Sequence, residues 1–150
     1  YGKIKLLNDE ANCLINKLEV NKITIVNKEF DLKNTIYEIN NGRIFTDLVE
    51  HVAIIKDNFI LPDISYQQVN SELKAVSSNR VINLGTNRIQ KKIKGSVFSL
   101  VQGTSGNNYF HFLFDIVAKL GIYQEKYSLD KVDYFYVPSV DQWQKNILSL

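Results

Sequence analysis

Residues 103–115, reading Gly-Thr-Ser-Gly-Asn-Asn-Tyr-Phe-His-Phe-Leu-Phe-Asp, constrain this chain more than any other stretch. Two glycines among small polar residues continue neither a strand nor a helix, so they mark a sharp corner. The aromatic run after them carries helical spacing. A helix beginning near Asn107 sets Asn108, His111 and Asp115 along one stripe, because residues three and four apart share a face. Phe110, Leu113, Phe114, Val117 and Leu120 recur at the same steps and are expected on the opposite, buried face. Gly103 and Gly106 let the backbone bring amides close to a bound group, and amides at a helix start favour phosphate or another electron-rich group. The pattern is neither the dinucleotide fingerprint nor the Walker loop, so a tight turn without a ligand competes with that reading.

The flanks extend the pattern. Residues 96–101 form a short apolar run that reads as a buried strand entering the corner. Residues 132–137 form another, stopped by Pro138, and Ser139-Val140-Asp141-Gln142 matches a capping box opening a helix with Trp143, Ile147 and Leu150 inward. Strand, helix, strand, helix predicts parallel βαβα packing, in which ligands sit at the carboxyl ends of the strands. Upstream, Ile4, Leu7, Ala11, Leu14, Ile15 and Leu18 recur at three- and four-residue steps, which predicts one amphipathic helix over residues 1–20. Extended runs follow at 22–26 and 35–39. Asn40-Asn41-Gly42 signals a hairpin turn into 43–46, and Asp57-Asn58 a second hairpin between 52–55 and 59–61, ended by Pro62. Tyr66-Gln67-Gln68 reads as a loop, Ser77-Ser78-Asn79 as a break and Leu84-Gly85-Thr86-Asn87 as a turn. The expected fold is α/β: residues 1–95 form a helix and a β-hairpin-rich part, leading into a Rossmann-like βαβα unit over residues 96–150.

Composition excludes several functions. A net charge of +2 on 150 residues is too small to imply nucleic acid. The densest basic cluster, Lys91, Lys92 and Lys94, reads as a solvated loop or strand end in preference to an anion site. A single cysteine, Cys13, excludes an internal disulfide and any CxxC motif, and it is expected as a small core residue on a helix. No run approaches the roughly 20 apolar residues of a membrane span, and the first residues show no basic-then-apolar signal. From the absence of methionine, and an end at Asn146-Ile147-Leu148-Ser149-Leu150 inside a helical pattern, the sequence is expected to be an interior piece of a longer protein.

His111 and Asp115 carry the chemistry. A carboxylate one turn away can orient the imidazole, fix its tautomer and favour its charged form, so the pair can take a proton from a hydroxyl nucleophile. The competing reading is a histidine satisfying a buried hydrogen bond, with Asp115 paired to Lys119 one turn on. His51, the only other histidine, is expected in a surface or capping role, which leaves no set of zinc ligands. Tyr109 is the aromatic best placed to face a ligand, and Trp143 reads as a core anchor.

The run Gly106-Asn107-Asn108-Tyr109-Phe110-His111-Phe112-Leu113-Phe114-Asp115 resembles a hallmark of glycosyltransferase family 61, an Asn, two residues, His, three residues and Asp in this helix. The likeness covers about residues 36–150. The resemblance implies a GT-B architecture of two Rossmann-like domains facing a cleft, with this chain supplying the first, acceptor-side half. It implies inverting transfer from a nucleotide sugar to a glycan hydroxyl, with no cofactor and no obligatory divalent metal; the chain has no Asp-x-Asp motif. His111 or Asp115 would accept the proton or orient the group that does. Gly103, Thr104, Gly106, Asn107, Asn108 and Tyr109 would hold the acceptor or face the donor phosphates. The missing partner would be a carboxyl-terminal domain bearing the donor site, without which this piece is catalytically incomplete. The implied setting is capsule or other surface-polysaccharide synthesis in the cytoplasm, with the parent protein peripheral to the inner membrane face. A non-catalytic glycan-binding or assembly module of a larger cell-envelope protein is the alternative, and a pair that only fastens its helix is a third.

Overall fold

The computed structural model describes residues 4–6, 16–25, 28–46, 51–70, 72–86, 89–101, 108–137 and 140–149. Its strands are β1 (Lys5–Leu6), β2 (Asn16–Ile25), β3 (Lys28–Glu38), β4 (Arg43–Thr46), β5 (His51–Lys56), β6 (Phe59–Ile60), β7 (Tyr66–Val69), β8 (Glu72–Lys74), β9 (Val97–Ser99) and β10 (Tyr134–Tyr136). The helices are α1 (Arg80–Leu84), α2 (Tyr109–His111), α3 (Ala118–Gln124) and α4 (Gln142–Leu148), and a π-helical stretch, Phe112–Val117, joins α2 to α3.

The strand β5 organises the larger sheet. Its run His51-Val52-Ala53-Ile54-Ile55 is buried throughout, and alternate side chains serve opposite faces. Ala53 and Ile55 pack with Ile4, Ile60 and Val81, whereas Val52 and Ile54 pack with Leu61 and Val101. Along one edge β4 pairs antiparallel, from Arg43↔Ile55 to Thr46↔Val52. The other edge is shared by β6 and β7. Between those two partners the Leu61 amide donates to the Ile54 carbonyl at 2.8 Å and the Ile54 amide to Ser65 Oγ at 2.9 Å, so the buried backbone stays satisfied. The β5–β6 turn uses Asp57 (φ 46°) and Asn58 (φ 66°), the residue types that tolerate a left-handed two-residue hairpin turn.

Three expectations are corrected. The chain does turn at Asn40-Asn41, with Asn41 at φ 55°, but β3 pairs with β2 and β4 with β5. The turn passes the chain between two sheets and closes no hairpin. Of the helix expected over residues 1–20, the described residues 5–6 and 16–20 form β1 and the start of β2 instead, where Leu18 sits opposite Ile36 in the β3 ladder. Cross-strand pairing here overrides a local helical period; Cys13 lies outside the described residues. Tyr66-Gln67-Gln68 is strand β7, held between β5 and β8.

The fold class itself is corrected. Among the described residues the sheets are mostly antiparallel and the helices short, and no Rossmann-like βαβα unit forms. The strands β9 and β10 do run parallel, but each has three residues and they pair only with each other. A doubly wound domain needs a continuous parallel sheet covered on both faces. Sequence order supplies the succession of elements without saying how many strands join one sheet, and here the antiparallel hairpins took the chain's long-range pairing. The two short strands are clipped together instead by side chains. The Ser96 amide donates to Asp133 Oδ2 at 2.7 Å, and Ser96 Oγ accepts from the Asp133 amide at 3.0 Å. Gly95 makes that approach possible, because it sits at φ 122° and a Cβ there would lie 2.6 Å from Asp133 Oδ2. The hydrogen bond donated by the Ser96 amide, followed by that from its hydroxyl, holds the Asp133 carboxyl below its ordinary range.

Helix α4 starts two residues later than the expected box. Asp141 is the N-cap, and its amide donates to Oε1 of the buried Gln144 at 2.6 Å. Trp143 and Ile147 pack against Leu100, Phe112 and Ile116, which fastens α4 and the π-helical stretch beside the end of β9. No helix among the described residues is long and apolar enough to cross a membrane.

The fully buried Asn79 links α1 to the sheet. Its side chain accepts from the Val81 amide at 3.1 Å as the N-cap, while Nδ2 donates to the Tyr66 carbonyl at 3.1 Å and lies 3.4 Å from the Val52 carbonyl. Asn79→Ala removes the cap and strands buried carbonyls. We expect a loss of about 2–3 kcal/mol and a melting temperature lower by roughly 5–10 °C. Asn79→Asp, which keeps the cap acceptor but sets a buried carboxylate against the Tyr66 and Val52 carbonyls, should melt no higher than Asn79→Ala.

Candidate active site

The site begins at the start of α2. Asn108 is extended (φ −101°, ψ 115°), and its Oδ1 accepts from the His111 amide at 3.2 Å, a hydrogen bond that caps the start of the helix. The chain then widens into the π-helical turn, a feature that recurs at functional sites because it re-aims side chains relative to a regular helix. Phe112 and Ile116, each 1% exposed, are the inward residues of this stretch. Phe110 and Phe114, which the sequence places in the core, are 59% and 63% exposed and stack on each other at 4.6 Å. The aromatic run is apolar on nearly every side, so helical spacing did not decide which rings turn inward, and packing against Leu100 and Trp143 buried Phe112.

With Phe112 inward, His111, Asp115 and Lys119 face an open groove of about 2400 Å³. Its other wall comes from both sheets, with Tyr37 of β3, Ile44 of β4 and Tyr66 of β7, and from Ile39 just after β3. His111 Nδ1 lies 2.7 Å from Asp115 Oδ2, and the two side chains are 36% and 35% exposed. An ionised carboxylate can only accept, so Nδ1 carries the hydrogen and a neutral ring keeps its lone pair on Nε2. That is the tautomer a proton acceptor needs.

One turn beyond, Lys119 Nζ donates to the Val101 carbonyl at 2.9 Å, two residues past the end of β9. Burial pushes the Lys119 ammonium down from 10.5 to about 8, and Asp115 pulls the other way. A base with a depressed folded value binds fewer protons than the unfolded chain between those two pH values. The cost of burying its charge is therefore full below about pH 8, and stability recovers as the pH rises toward 10.5. Lys119→Met removes this contribution. The stability of the wild-type protein relative to Lys119→Met should rise by up to about 3 kcal/mol between pH 7.5 and 10.5. Paired thermal melts across that range test it; a constant gap contradicts it.

The expected residues separate in space. Asn108, His111 and Asp115 share the groove wall. Tyr109 is 60% exposed with its ring 5.3 Å from Trp143, and it is not part of that wall. Gly103, Thr104, Gly106 and Asn107 lie outside the described residues. His51, expected in a surface or capping role, is buried at the start of β5. No group of three or more His, Cys, Asp or Glu side chains that could hold a metal ion comes together among the described residues.

Sequence reasoning missed two contributors. Lys119 entered only as an ion-pair partner for Asp115, although the spacing 108, 111, 115, 119 continues the stripe and could have found it. A second polar cluster on the groove joins distant segments and left no local signal. Asp63 Oδ2 accepts from Lys17 Nζ and from the Tyr37 hydroxyl, each at 2.9 Å. Those bonds hold the Asp63 carboxyl below its usual range, and burial followed by the Asp63 contact raises Tyr37.

Comparison of the chain with protein-family models, with curated proteins and with solved structures gives no match.

Proposed function

We propose that this chain is the acceptor-side part of an inverting glycosyltransferase, with the groove holding a glycan acceptor and His111 serving as its base. The observation that carries the reading is the 2.7 Å His111–Asp115 pair, one-third exposed, on the wall of an open groove. The resemblance of Asn108, His111 and Asp115 to the family 61 motif supplies the reaction class. A GT-B frame is no part of the proposal.

In the proposed step an acceptor hydroxyl gives its proton to His111 Nε2 as its oxygen attacks the anomeric carbon of a nucleotide sugar. A new glycosidic bond forms with inversion, the bond to the diphosphate breaks, and the nucleotide diphosphate leaves with the electron pair. Asp115 holds the ring and stabilises the imidazolium before it returns its proton to solvent. The natural setting is surface-polysaccharide synthesis on the cytoplasmic side of the membrane.

The test uses the full-length protein that carries this chain, supplied with nucleotide sugars and glycan acceptors. His111→Ala and Asp115→Ala should abolish transfer while circular dichroism stays unchanged. Undiminished transfer in both variants rejects the catalytic assignment. Glycan binding without transfer by the unaltered protein would point to the non-catalytic module.

A further inference from the structure

The groove has a charge bias that the whole chain lacks. The sequence as a whole carries 18 basic and 16 acidic residues. On the groove, Arg43, Lys74, Lys91, Lys92, Lys94 and Lys119 stand against only Glu38, Asp63 and Asp115. The three carboxylates are already engaged: Glu38 by the Tyr127 hydroxyl, Asp63 by Lys17 and Tyr37, Asp115 by His111. Arg43 donates to Asn58 Oδ1, Lys119 to the Val101 carbonyl, and Lys74 pairs with Glu72. Lys91, Lys92 and Lys94 differ. They are exposed on the irregular stretch ahead of β9, and among the described residues none of them forms an ion pair.

Three unpaired cations on one short segment repel one another, a cost that an anionic ligand relieves. The rest of the lining fits a sugar chain. Asn34, Thr35 and Asn40 offer amide and hydroxyl groups, and Tyr37, Tyr66 and Tyr136 offer rings against which a pyranose can rest. We infer that the groove takes an acidic glycan, with Lys91, Lys92 and Lys94 meeting its carboxylates while the His111 end receives the hydroxyl to be glycosylated. This inference rests on the proposed function and names the acceptor class for the same groove. The lysines steer and hold the acceptor; they take no part in the proton transfer.

Binding of hexagalacturonate, of its fully methyl-esterified counterpart and of a single-stranded DNA oligomer of equal charge to the full-length protein tests the idea by calorimetry at low salt. The free acid should bind about tenfold tighter than the neutral ester, and the gap should shrink as salt is added. Replacing Lys91, Lys92 and Lys94 together by Gln should cost about the same factor for the acid and nothing for the ester. These side chains are exposed on irregular backbone, so the triple variant should melt with the parent. Equal binding of acid and ester overturns the inference, as does an unaffected triple variant. DNA bound as tightly as the acidic glycan also overturns it, because charge alone would then explain binding. Loss of transfer in His111→Ala with a neutral triple variant leaves the enzyme reading standing without this one, and the opposite pattern leaves the acidic-glycan site without the enzyme.

Discussion

Asp115→Asn is expected to lower transfer by the full-length protein on the order of 100- to 10,000-fold while barely moving its melting temperature. The side chains are nearly the same size, so packing is preserved. The hydrogen-bonding character is not. An amide nitrogen facing His111 Nδ1 donates, which drives the ring hydrogen to Nε2 and removes the lone pair that would take the acceptor proton. An amide turned the other way still accepts from Nδ1 but offers no charge to stabilise the imidazolium. Both orientations damage the proton transfer by different routes. A pair that is one-third exposed on each side contributes at most about 1 kcal/mol to stability, or roughly 2–4 °C. Fastening and catalysis thus give opposite signatures. A merely structural pair loses a few degrees, and activity at permissive temperature stays near the parent value. Turnover in Asp115→Asn within about fivefold of the unaltered protein would end the assignment of this pair to chemistry.

How far the chain could be read in advance follows from the range of the interactions involved. The Asp57-Asn58 hairpin was legible because two adjacent residues able to adopt positive φ dictate it locally. The polar stripe of Asn108, His111 and Asp115 was legible for the same reason: helical spacing is a short-range property. The amino-terminal sheet was so only in part. The extended runs at 22–26 and 35–39 were legible, but the apolar positions up to Leu18 show a helical spacing. Residues 16–20 instead pair with Glu38 and the residues before it, a pairing no window of that segment contains. The order of elements after residue 95 suggested a parallel α/β domain, but the size of a sheet is decided by which strands find one another across the chain. Here β5 recruits β4, β6 and β7, and β9 is left with β10 alone. His51, expected among strands in a surface or capping role, is buried instead, since a polar residue next to Glu50 gives no local sign that both faces of its strand are covered.

Phe112→Ala should be the most damaging single truncation near the site, costing about 3–5 kcal/mol. The ring is 1% exposed, packs with Leu100 and Ile116, and meets the Trp143 ring edge-on at a centroid distance of 5.1 Å and an angle of 77°. Removing it opens a cavity between the π-helical stretch, β9 and α4, three elements whose mutual positions depend on that contact. Against a typical total of 5–15 kcal/mol, such a loss populates unfolded chain at moderate temperature and lowers the melting point by roughly 10 °C or more. Phe110→Ala is the control, because that ring is 59% exposed and touches only Phe114 and His111 among aromatic neighbours, so its truncation should cost no more than about 0.5–1 kcal/mol. The contrast reaches the chemistry. Residues two apart on a helix are about 200° apart around its axis, so the helix cannot bury both rings in one core. The rotation that buries Phe112 is the one that turns His111, Asp115 and Lys119 toward the groove. Denaturant unfolding of the two variants therefore reads the orientation of the proposed site directly: a larger loss in Phe110→Ala than in Phe112→Ala would rotate the helix and carry the dyad away from the ligand it is proposed to serve.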